Sequence, residues 1–163
     1  MSLLWSYLWP ILAAGLVAGA VAGLVAFRRG KAAPILFGIA AAVAAAAVWH
    51  GPLGAGDRFA GAVERTARAS LDYYEMTKVS GRLQRNPLSR NLRLAGPADE
   101  FQRSELARVM SDLPGVRRAV WSQSRGLPLL AEALAAALVG FLAGLLLAYG
   151  VHLHRRYNAQ WDW

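Results

Sequence analysis

Residues 90–121 read RNLRLAGPADEFQRSELARVMSDLPGVRRAVW, and the reading of this stretch decides the fold. Leu92 and Leu94 alternate with polar residues up to a Gly96-Pro97 break, which predicts a strand over Arg90–Ala95. Phe101, Leu106, Val109, Met110 and Leu113 then recur on one helical face, and Pro114-Gly115 stops that helix. Val116–Trp121 supplies another short alternating run. Upstream, Phe59, Ala60, Val63, Ala67, Leu71 and Tyr74 keep helical spacing, with Asp57 placed as the N-cap. Lys78–Gln84 alternates through Val79, Gly81 and Leu83, and Asn86-Pro87 signals a turn. Residues 57–125 are therefore expected to form a small α+β domain of αββαβ order.

Outside this domain the chain changes character. Hydrophobic residues make up 56% of the 163, and they are blocked rather than spread. Three runs, 3–27, 33–50 and 126–152, are almost free of charge. Crossing a hydrocarbon core of about 30 Å takes roughly 20 apolar residues. The fold class expected is thus an α-helical membrane protein with three transmembrane helices and the α+β domain between the second and third. Residues 51–56 (GPLGAG) form the linker, and 153–163 a basic, aromatic tail.

No positive charge precedes the first run, which argues against a cleaved signal peptide. Arg28, Arg29 and Lys31 follow it, so the N-terminus is expected outside and the first turn inside. Arg155 and Arg156 mark the end of the third run as cytoplasmic too. Trp5, Tyr7 and Trp9 fit an interfacial aromatic belt. Pro10 falls in the opening turns of the first run, where a missing amide hydrogen costs least. Gly15, Gly19 and Gly23 recur every four residues and permit close approach of another helix, and Gly140 and Gly144 make a second notch. The slim, Ala-rich second run is expected to nestle against the first stripe as a helical hairpin.

The segment 57–122 resembles a BON domain. Two signatures carry the resemblance: Leu92-Arg93-Leu94-Ala95-Gly96-Pro97-Ala98 followed by an acidic helix start at Asp99-Glu100, and Leu113-Pro114-Gly115-Val116-Arg117-Arg118-Ala119-Val120. Gln84–Ser89 stands where that family has a Gly-rich turn. That family is a small module of bacterial periplasmic and outer-membrane-associated proteins, and the resemblance implies attachment to phospholipid or the cell envelope and contacts with other proteins. It supplies turn glycines, Gly96 and Gly115, and no catalytic residues. The membrane tether, at a bacterial inner membrane with the domain on the periplasmic face, is expected from the apolar runs and their flanking charges.

The chemistry-bearing residues are few. There is no cysteine, so disulfides and thiolate sites are excluded. No phosphate loop, nucleophile arrangement or paired-carboxylate site stands out, and neither enzymatic activity nor a cofactor is expected. His50 lies on the opposite side of the expected membrane from His152 and His154, so the three form no shared metal site. Glu132, the one acid within an apolar run, reads either as a residue reaching the interface or as an intramembrane polar contact. Glu64/Arg68 and Glu105/Arg108 read as surface helix pairs.

The net charge of +8 points to an acidic partner. Arg82, Arg85, Arg90 and Arg93 gather on the expected hairpin, and Arg117, Arg118 and Arg125 near the last strand. Anionic lipid headgroups or an acidic protein are the expected contacts, and nucleic acid is not, since no recognition-helix pattern is present. Trp161 and Trp163 end the tail, either in the interface or docked on a partner. The favoured role is an accessory or scaffold subunit, among other integral membrane subunits, of a larger bacterial inner-membrane complex such as an electron-transport or photosynthetic one. The alternative is a stand-alone protein that binds the envelope or anionic lipid.

Overall fold

The computed structural model describes residues 3–122 and 126–158. Among them the chain is mostly helical: α1 (Leu3–Arg29), α2 (Ala33–His50), α3 (Ala55–Tyr73), β1 (Ser80–Arg85), β2 (Leu88–Ala95), α4 (Glu100–Ser111), β3 (Arg118–Val120) and α5 (Leu129–Asn158). The αββαβ order over α3–β3 is the one read from the periodicity. α1, α2 and α5 are each long and apolar enough to cross a membrane. The chain divides into two compact units, residues 1–7 with 54–132, and residues 8–53 with 133–163.

In the first unit, β1 and β2 pair antiparallel and β2 and β3 pair parallel, giving the order β1-β2-β3. Leu83, Leu92, Leu94 and Ala119 are buried on one face of this sheet. α3 contributes Phe59, Val63, Ala67 and Leu71 to the core, and α4 contributes Leu106 and Met110. Asp99 caps α4: its carboxylate accepts from the Gln102 backbone N–H at 2.7 Å, and Gln102 accepts from the Asp99 N–H at 3.2 Å. Gly115 ends the turn after α4 with a φ of 92°, and a Cβ there would stand 2.9 Å from Val63 Cγ2. That position needs glycine both for backbone and for space.

Several boundaries differ from expectation. α3 starts at Ala55 behind an N-cap Gly54 in the left-handed region, so Asp57 lies inside the first turn instead of capping it. The linker is shorter for the same reason. β3 ends at Val120, and Trp121 turns onto α4, where its indole N–H donates to the Arg103 carbonyl at 2.9 Å. Tyr7 is no belt residue: it is buried, with its ring 5.6 Å from that of Phe59. Trp5 and Trp9 are exposed. Pro10 lies beyond the first turn of α1, where it withholds a donor from the Ser6 carbonyl. α5 runs on through Asn158, beyond the expected end at residue 152, so His154, Arg155 and Arg156 of the expected tail are helical.

In the second unit the glycine stripes find each other. A Cβ on Gly15 would fall on the Ala137 carbonyl, one on Gly19 on the Phe141 carbonyl, and one on Gly23 against Ala148. Reciprocally, Gly140 faces the Leu12 carbonyl and Gly144 the Leu16 carbonyl. Partner numbers rise together along both helices, so α1 and α5 run parallel in backbone contact. Phe27 meets Tyr149 and His152 at the end of this contact, each at 5.6 Å between centroids. The expectation that α2 occupies the Gly15/Gly19/Gly23 stripe is therefore corrected. α2 approaches through its own Gly38, where a Cβ would meet Ala22 and Phe141.

Candidate anion-binding face of the sheet

A β-strand sends alternate side chains to opposite faces, so the register assigns each arginine a side. On β2, Leu92 and Leu94 face the helices. Arg93 faces the other way, directly across from Arg82 on β1, while Asn91 pairs with Arg118 and Arg93 with Val120 on β3. Arg82, Arg93 and Arg118 thus share the face that α3 and α4 leave uncovered. All three are exposed, and none has an ion pair among the described residues. Like charges directly opposed across an antiparallel pair are destabilising. Here the cost is accepted without a counter-charge.

A groove of about 610 Å³ lies on this face. Arg82 and Arg93 line it with Ser80, Gln84, Asn86, the buried Asn91 and, at its edge, the ion-paired Arg85. The lining carries donors at both charged and neutral positions, which suits a multi-oxygen anion. Asn91, Ser80 and Gln84 did not stand out in the sequence, and Asn86 did so only as a turn residue. Only the register of the hairpin, including the irregularity between Leu83 and Arg85, brings them beside the arginines.

The other arginines of the expected cluster are employed inside the unit. Arg85 donates to Asp57 and to Glu64, both at 3.1 Å. Glu64 also accepts the Leu83 backbone N–H at 3.0 Å, so it does not pair with Arg68, which bridges Asp72 instead at 3.0 Å. Arg90 is the clearest correction. Its Nε donates to the Gly115 carbonyl and its Nη1 to Glu132, both at 3.1 Å. Arg117 comes within 3.9 Å of the other Glu132 oxygen. Glu132 sits in the first turn of α5, where the helix dipole also favours an acid. Its polar contact is in its own chain. Glu105 and Arg108 pair as expected at 2.7 Å, and the hydrogen bond that Arg108 donates to Glu105 holds the guanidinium above its ordinary pKa.

Arg125, Trp161 and Trp163 lie outside the described residues. Among the described residues, no group of three or more His, Asp or Glu side chains is placed to hold a metal ion. No family model matches the chain, and neither the curated proteins nor the solved structures return a match.

Proposed function

We propose that this chain is a non-enzymatic membrane protein that displays a BON-like domain and attaches it, through the open arginine face, to an anionic surface. The single observation carrying this reading is the opposed pair Arg82 and Arg93, exposed and unneutralised on a grooved sheet face. Anionic headgroups supply about 1 kcal/mol per basic residue near a membrane surface. The αββαβ order supports the resemblance, and the three apolar helices support membrane residence. The parallel contact of α1 and α5 gathers Arg28, Arg29, Arg155 and Arg156 at one end of their unit. Cations favour the cytoplasmic side, so the domain is proposed to be periplasmic, at a bacterial inner membrane.

The accessory-subunit reading rests on a different surface than the glycine stripes, because those are filled by the chain's own helices. Surfaces open to a neighbouring subunit include α2, where Leu36, Val43 and Val48 are exposed, and α5, where Val139, Leu142 and Leu146 are.

The test uses the full chain held in phosphatidylcholine nanodiscs on a sensor surface. Vesicles containing phosphatidylglycerol should bind and be released by salt, while phosphatidylcholine vesicles should not. Equal binding of both vesicle types, or of neither, contradicts the attachment role.

A further inference from the structure

The second unit carries an unbalanced charge of its own. Among its described residues there is no carboxylate at all, yet Arg28, Arg29, Lys31, Arg155 and Arg156 are all exposed. None of the five forms an ion pair among the described residues. A groove of about 500 Å³ runs between α1 and α2 and ends at two of these cations, Arg29 and Lys31. Small residues make it: Ala18 and Ala22 on α1, and Ala33, Gly38 and Ala41 on α2, with Phe37 as one wall. From Ala18 to Arg29, at 1.5 Å per helical residue, the groove is about 16 Å long, a length that suits an extended acyl chain.

The charged end has a second feature. α2 begins here behind Ala32; Pro34 has no amide hydrogen and Ile35 and Leu36 donate to the Ala32 carbonyl, so the helix start offers its dipole and the Ala33 amide. The positive end of a helix dipole is thereby aimed at the place where Arg29 and Lys31 stand. An apolar trough that closes on two cations and an uncapped helix start has the chemistry of one ligand class. A zwitterionic lipid would fill the trough but bring a cation of its own to a site that already holds two, whereas inorganic phosphate would satisfy the charges and leave the trough empty.

We infer that the groove between α1 and α2 holds one anionic phospholipid, with an acyl chain along Ala18–Ala41 and its phosphate on Arg29 and Lys31. This site is separate from the open face of the sheet, and it binds a resident lipid rather than a second surface. It also gives α2 a reason to be poor in bulky residues on this side, since larger side chains would close the trough.

The full chain is reconstituted in an equal mixture of phosphatidylglycerol and phosphatidylcholine, extracted in mild detergent, and examined by native mass spectrometry. One phosphatidylglycerol per chain should be retained in preference to phosphatidylcholine. R29Q/K31Q should weaken that retention roughly thirty-fold. A41L, which fills the trough without altering charge, should also lower it, while R155Q/R156Q and R82Q/R93Q should leave it unchanged. The last variant separates this site from the proposed attachment face. Equal retention of the two lipids, or undiminished phosphatidylglycerol in R29Q/K31Q, overturns the inference. So does an equal loss in R155Q/R156Q, because it would reduce the effect to net charge.

Discussion

The two faces of the three-stranded sheet use the same residue type in opposite ways. On and around the helix-covered face, Arg85 and Arg90 are tied to Asp57, Glu64, Glu132 and the Gly115 carbonyl. On the open face, Arg82 and Arg93 oppose each other with no acid between them. Arg90 and Arg93 are three residues apart on one strand, so composition and local charge do not separate them. The difference lies in what the far ends of the chain bring. Glu132 arrives from 42 residues away and completes Arg90. An arginine that receives such a partner becomes part of the fold, and one that does not remains available for binding.

The comparison breaks first at Arg90. Both side chains of the Arg90–Glu132 pair are only 20% exposed, so R90A leaves a largely buried carboxylate and the Gly115 carbonyl without their donor. A loss of about 2–3 kcal/mol is expected, read by denaturant titration of the full chain in micelles. R93A should stay within about 0.5 kcal/mol of the parent. If the two variants lose equal stability, the division between the faces fails.

Gly115 sharpens the same side. G115A forces a side chain into a positive φ and against Val63 and Phe59, at an expected cost of about 1–3 kcal/mol. Hydrogen exchange should quicken in β3, which follows this turn. A neutral outcome would mean that the turn does not hold β3 in place.

The open face should respond with the opposite sign. R82Q/R93Q removes a like-charge opposition and is expected to raise stability by roughly 0.2–1 kcal/mol. A clear loss of stability would show that these arginines also serve the fold. At the small end, E105Q removes a pair that is largely exposed on α4. No measurable shift in the unfolding midpoint is expected, and a shift would mark α4 as more dependent on its surface charges than its geometry indicates.

Much of this architecture is legible in the sequence because it is written in local periods. Leu92/Leu94 alternation, the Asp99 start and the Pro114-Gly115 stop locate β2 and α4 to within a residue or two. The three apolar runs are equally plain. What local pattern does not carry is partnership across the chain. The stripe Gly15/Gly19/Gly23 announces a close helix contact, but α2 and α5 are both candidates until Gly140 and Gly144 are seen opposite it. Tyr7 looks interfacial because its neighbours are Trp5 and Trp9, while its burial depends on Phe59, some fifty positions later. The candidate site divides in the same way. The arginines were visible as a group, and alternation around Leu92 already places Arg90 and Arg93 on different faces. The pairing of Arg82 with Arg93, and the groove floor at Asn91, follow only from the hairpin register.

The most direct test of the account is a charge-matched comparison of vesicle binding by the full chain in phosphatidylcholine nanodiscs. R82Q/R93Q and R65Q/R108Q each remove two positive charges, the first pair from the open face and the second from α3 and α4. The account predicts that R82Q/R93Q weakens binding to phosphatidylglycerol vesicles about thirty-fold and that R65Q/R108Q leaves it near the parent value. Equal losses in the two variants would contradict it, since they would make net charge, and not the open face of the sheet, the source of attachment.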